Sequence, residues 1–224
     1  MTIDVTTVGF TTTDGVASHG DLAVPTEPRA VAIVCHPHPL HGGDRFHPVV
    51  TALHEVLPTI GVASLRFDFR ADFDGGAGER LNARAALDEV TRRVGRMATF
   101  ALGYSFGAMV VLGLDHHDLE GIVLVAPPLG RAELPDSSPA GTGALVVVAE
   151  HDRFAPPDVV APITSTWPDT TVEVVESADH FLTGRGAEVA SRTAEWVAGR
   201  LPPAGLSGRG PRRSRPSRRR RASG

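Results

Sequence analysis

The run Gly103-Tyr104-Ser105-Phe106-Gly107 sets a serine between two glycines at the spacing G-x-S-x-G. A serine that attacks a carbonyl carbon must stand clear of its own backbone. A sharp strand-to-helix turn achieves this, and the flanking glycines let neighbouring elements pack close beside it. The same turn carries the Phe106 N–H to where a negative oxygen develops during attack. Alone, the pentapeptide reads equally as a Gly-rich turn before a helix. Two further groups give it a chemical meaning, because they follow in the order serine, acid, histidine. Asp152 stands in residues 149–156, and His180 in residues 177–181. His180 would take the serine proton and return it to the leaving group. Asp152 would hold the imidazole tautomer and stabilise the imidazolium. Glu150 and Asp136 are the rival acids, and Asp179 reads as a cap of the His180 loop. The plain alternatives are a surface aspartate before a Pro-started helix and a solvated loop histidine.

A second cluster is His36-Pro37-His38-Pro39-Leu40-His41-Gly42-Gly43. It follows an apolar strand and is the natural partner loop for an oxyanion hole. Proline has no N–H, so the available donors are the amides of His38, Leu40 and His41, with Leu40 or His38 favoured. The glycines would let a substrate come close. His41, Gly42, Gly43, Tyr104 and Phe181 are therefore candidates for the pocket wall. The spacing H-x-H-x-x-H also looks like the H-x-H-x-D-H zinc loop of metallo-β-lactamase-fold hydrolases. Leu40 occupies the aspartate position of that loop, and no later His/Asp set has matching spacing. The expectation is no metal and no cofactor, with His36, His41 and His47 hydrogen-bonding loop carbonyls.

These residues need a scaffold, and the hydrophobic pattern supplies one. Residues 5–11 and 16–24 read as two strands about a turn at Asp14-Gly15. Strand and helix then alternate. Strands are expected over 30–35, 62–67, 98–102, 122–125, 144–148 and 171–175. Continuous apolar runs such as residues 30–35 are typical of strands buried on both faces. Helices are expected over 49–60, 81–94, 105–114, 157–166 and 187–201 from apolar spacing. In the second of these, Leu81, Ala85, Leu87, Val90 and Val94 are expected to face inward. The result is an α/β protein: a mostly parallel central sheet, an N-terminal antiparallel hairpin, and helices on both faces. The Gly-, Pro- and Ser-rich connection after Pro128 is too short for a cap domain, so an open site is expected.

At 224 residues the chain suits one folded domain over residues 1–203. Residues 204–224 are rich in Arg, Gly, Pro and Ser and are expected to be disordered. Eight of the 22 basic residues lie in this tail, so the body, with 26 acids, is strongly acidic. Such a tail can meet phosphates, but it has no interleaved aromatic residue for base stacking. Nucleic-acid binding is not expected beyond the tail. The single cysteine, Cys35, forbids an intrachain disulfide. With no leader pattern at the N-terminus, it points to the cytoplasm. No apolar run approaches the ~20 residues of a membrane span.

The histidine loop, Leu65-Arg66-Phe67-Asp68-Phe69-Arg70, Gly103-Tyr104-Ser105-Phe106-Gly107-Ala108, Ala126-Pro127-Pro128 and Asp179-His180-Phe181 together resemble the small, lidless α/β-superfamily hydrolases related to dienelactone hydrolase. The resemblance covers about residues 5–201. It implies an α/β-hydrolase fold, a Ser105–Asp152–His180 triad, no cofactor, and hydrolysis of small-molecule esters or thioesters. Three departures stand out: Ala149 in place of a glycine, a short acidic loop over residues 71–76, and His47 in place of an asparagine. A serine at the elbow argues against dienelactone hydrolysis proper, which uses cysteine. The rival readings are a non-catalytic scaffold used for binding and a zinc hydrolase built on residues 36–41.

Overall fold

The computed structural model describes residues 2–115, 117–130, 138–139 and 141–203. The tail expected over 204–224 and the rival acid Asp136 lie outside the described residues.

Eight strands form one sheet in the order β1-β2-β4-β3-β5-β6-β7-β8. β1 (Ile3–Thr11) and β2 (Ala17–Pro25) make the antiparallel hairpin, and β2 pairs antiparallel with β4 (Val62–Phe67). The turn between the hairpin strands uses Gly15 at φ 86°, where a side chain would be strained. All other pairings are parallel: β4 with β3 (Ala30–Cys35), then β5 (Ala98–Tyr104), β6 (Gly121–Val125), β7 (Gly143–Ala149) and β8 (Thr170–Val175). Every residue of β3, β6 and β7 is buried, as their unbroken apolar runs require.

Helices cover both faces. α1 (Pro48–Thr59) and α5 (Gly186–Ala198) bury Val50, Leu53, Leu57, Val189 and Trp196 on one side. α2 (Ala77–Val94), α3 (Phe106–Leu112) and α4 (Pro157–Thr164) bury Ala83, Ala86, Val111 and Val160 on the other. Among the described residues, the fold is that of an α/β hydrolase without a lid.

Two expectations are corrected. α2 begins at Ala77, a turn earlier than residue 81, because Glu79 accepts the Gly76 amide at 2.8 Å and the Asp74 amide at 3.0 Å. Those bonds fix the helix start within a glycine-rich stretch that carries no apolar signal. The buried face of α2 is also rotated. Glu79, Asn82, Ala83, Ala86 and Val90 point inward, whereas Leu81, Ala85 and Val94 are only partly covered. Polar Asn82 belongs inside because its side chain donates to Ser18 at 2.6 Å and accepts from Arg70 at 3.1 Å.

Candidate active site

Parallel strands bring the loops at their carboxyl ends to a single edge of the sheet. Residues 36–47, 68–76, 105, 150–156 and 176–185 follow β3, β4, β5, β7 and β8 in this way. Ser105 sits between β5 and α3 at φ 53°, ψ −115°, a strained conformation for a non-glycine residue. The flanking glycines are sterically required. A Cβ on Gly103 would lie 2.2 Å from the Gly107 carbonyl oxygen, and one on Gly107 would lie 2.4 Å from that of Cys35.

Ser105 Oγ and His180 Nε2 are 2.9 Å apart, and His180 Nδ1 lies 2.8 Å from Asp152 Oδ2. If Nδ1–H is given to the carboxylate, Nε2 remains to accept the serine proton. Asp152 is buried, and its other oxygen accepts the amides of Phe154 at 2.8 Å and Ala155 at 3.2 Å. The carboxylate is thus held from both sides. The rival Glu150 turns elsewhere and accepts the Ser177 amide at 2.7 Å. Asp179 accepts the Phe181 amide at 3.0 Å, as a loop cap should. Tyr104 stacks on His180 with ring centroids 6.1 Å apart.

The histidine loop closes on itself. The His38 carbonyl accepts the amides of His41 at 3.0 Å and Gly43 at 3.1 Å, and Gly42 donates to Pro39 at 3.1 Å. The Leu40 amide donates to His38 Nδ1 at 3.2 Å. Leu40, His41, Gly42 and Gly43 therefore spend their N–H groups inside the loop. Of the amides considered from sequence, His38 is the one without such a bond. The expectation for Leu40 is corrected accordingly: its amide bonds the His38 ring, and its side chain is exposed.

The histidines divide by role. His36 is buried; Nε2 accepts the Phe69 amide at 3.0 Å, so Nδ1 donates to the Pro37 carbonyl at 2.6 Å. It ties the β3 loop to the β4 loop. His47 caps α1 by accepting the Val49 amide at 3.3 Å rather than bonding a carbonyl. Burial lowers the pKa of His36, His38 and His47, and the neighbouring His41 lowers His38 further. These imidazoles are therefore neutral near pH 7. Among the described residues, no three His, Cys, Asp or Glu side chains are grouped to hold a metal ion.

A cavity of about 850 Å³ opens at Ser105 and His180. Of the wall candidates, His38, His41, Gly43, Tyr104 and Phe181 line it. Gly42 does not; it turns the loop at φ 79°. Phe73, Arg80, Met109 and Phe154 also line it and were not singled out from sequence. Phe73 comes from the short acidic loop, whose departure from the family pattern was the available signal. Arg80 carried none, since on a helix it reads as an ordinary surface residue.

No protein-family model matches the chain. An uncharacterized protein of Rickettsia prowazekii is 28% identical over 182 residues, spanning 73% of this chain and 76% of that protein. A Xanthomonas campestris α/β serine hydrolase without a lid superposes with TM-score 0.81 at 25% identity, covering 89% of this chain and 96% of that one. An α/β serine hydrolase homologue from Coxiella burnetii gives TM-score 0.79 at 25% identity, covering 86% and 97%. The esterase domain of a Rhodothermus marinus protein shares the fold, with TM-score 0.71 at 20% identity over 88% and 99%. No helix among the described residues is long and apolar enough to cross a membrane. In fold and in sequence the chain is thus similar to small α/β serine-hydrolase homologues without a lid.

Proposed function

We propose that the protein is a serine hydrolase that cleaves carboxylic ester or thioester bonds through an acyl-enzyme. The observation that carries this reading is the unbroken relay from Ser105 Oγ to His180 Nε2 at 2.9 Å and from His180 Nδ1 to Asp152 at 2.8 Å. Ser105 attacks the acyl carbonyl while His180 takes its proton. The Phe106 amide heads α3, so it has no carbonyl one turn earlier to bond. With the unspent His38 amide it forms the oxyanion hole. His180 protonates the leaving group, then activates water to release the acyl product. No step needs a cofactor.

The site lies open at the sheet edge, which suits short or exposed acyl groups. Apolar walls from Phe73, Phe106, Met109 and Phe154 favour an uncharged chain beside the scissile bond. A buried, unpaired Cys35 fits a reducing compartment such as the cytoplasm. The test is hydrolysis of 4-nitrophenyl acetate, butyrate and octanoate with EDTA present. Short chains should be cleaved fastest; a rate that rises to octanoate contradicts the acyl-size assignment.

A further inference from the structure

Among the described residues, Arg80 is the single arginine in the wall of the Ser105 cavity, and the chain contains no lysine. The imidazoles on that wall whose pKa is shifted, His38 and His47, are shifted toward the neutral form. Arg80 projects from the first turns of α2 and is half-buried. Its Nη1 lies 3.4 Å from the Cβ position of Gly76 and 3.4 Å from that of Gly113. The guanidinium is thus wedged between the start of α2 and the end of α3. Packing against the end of α3 explains where its stem runs. It does not supply an acceptor.

Among the described residues, no acid or carbonyl bonds the Arg80 side chain. The neighbouring Glu79 gives both carboxylate oxygens to the Gly76 and Asp74 amides. Elsewhere the arginines near this edge are engaged. Arg70 holds Asp14 at 2.9 Å and Asn82 at 3.1 Å, and Arg66 holds Asp21 at 3.2 Å. A guanidinium carries five donors in a planar fork. Half-buried and without an acceptor among the described residues, this fork is available to a ligand that supplies one.

We infer that Arg80 binds a carboxylate borne by the substrate, so that the preferred substrates are half-esters of dicarboxylic acids. This rests on Ser105 as the nucleophile. The guanidinium fork matches a carboxylate in bidentate geometry. Phe73, Phe106 and Met109 would cover the methylenes between the carboxylate and the scissile carbonyl. A single cation in such a wall balances one negative charge, which suits a monoanionic carboxylate.

The experiment compares 4-nitrophenyl half-esters of succinate, adipate and suberate with 4-nitrophenyl butyrate, hexanoate and octanoate. Wild type, Arg80→Gln and Arg80→Lys are assayed on each. The wild type should favour the half-ester at one chain length at least. Arg80→Gln should lower that anionic-to-neutral ratio of kcat/KM by about tenfold or more, with Arg80→Lys between the two. An unchanged ratio at every length overturns the inference while leaving the serine mechanism intact. If no ester is cleaved, the serine reading fails, and the Arg80 subsite is read by calorimetry. Ser105→Ala should then bind the monomethyl ester of adipate, and Ser105→Ala with Arg80→Gln should bind it at least about tenfold more weakly. Equal affinities, or no binding by Ser105→Ala, overturn it.

Discussion

The Tyr104 hydroxyl donates to the backbone carbonyl of His180 at 2.9 Å, across 76 residues of sequence. The elbow and the histidine loop are therefore joined by a bond separate from the relay itself. Burial pushes the Tyr104 hydroxyl pKa up, so it remains a donor throughout the working pH range. Tyr104→Phe removes the tether and leaves a buried carbonyl without its partner. We expect kcat to fall by roughly fivefold to tenfold with KM little changed, and stability to drop by about 1–2 kcal/mol. Steady-state kinetics and denaturant unfolding check both. A rise in KM alone would assign Tyr104 to the pocket wall rather than to positioning.

The two neighbouring acids make opposite predictions. Asp152→Asn keeps the shape but favours the wrong imidazole tautomer, and should lower kcat by roughly 10³–10⁴-fold. Glu150→Gln keeps an acceptor oxygen for the Ser177 amide and should cost little activity, because Glu150 bonds that amide and not the His180 ring. Comparable losses in the two variants would mean that Asp152 is not the orienting acid.

Much of this was readable in the residues. The buried strands over 30–35 and 62–67 are observed with the same bounds, since apolar β-branched runs flanked by turns have few alternatives. The serine, acid and histidine were legible because each follows a strand. The rest depended on contacts distant in sequence. The start of α2 rests on Glu79 bonding amides upstream, and its inward face rests on Asn82 meeting Ser18. Which loop amide stays free could not be read from sequence, because His38 spends both its ring nitrogen and its carbonyl on the loop.

Glycine positions at the site should differ sharply in tolerance. A Cβ on Gly107 would lie within 2.4 Å of the Cys35 carbonyl oxygen, and backbone cannot yield as a flexible side chain can. Gly107→Ala should therefore prevent correct folding or abolish activity. Gly42→Ala meets nothing within 4 Å and carries only the strain of φ 79°, so it should cost about 1 kcal/mol. Thermal unfolding of the two variants separates steric from conformational cost.

His54 sets a pH dependence of stability. It is a buried residue of α1, with Nδ1 3.0 Å from Ser64 Oγ. Burial, helped by the nearby Arg66, lowers its pKa from 6.5 to about 4. The unfolded chain therefore binds the proton more readily between these values. The stabilisation is full above pH 6.5, declines as pH falls, and is exhausted near pH 4. This one group should account for about 2 kcal/mol of lost stability between pH 7 and pH 5. His54→Leu should flatten the unfolding free energy over that window by a similar amount. A variant with the wild-type slope would show that His54 is not the source.

The central claim is that Ser105 is the nucleophile. Wild type and Ser105→Ala should be compared on 4-nitrophenyl butyrate with EDTA present, after confirming equal thermal unfolding. The account predicts an EDTA-resistant activity in the wild type that falls by at least about 10³-fold in Ser105→Ala, together with a stoichiometric burst of nitrophenol in the wild type alone. Equal rates in the two proteins would contradict it.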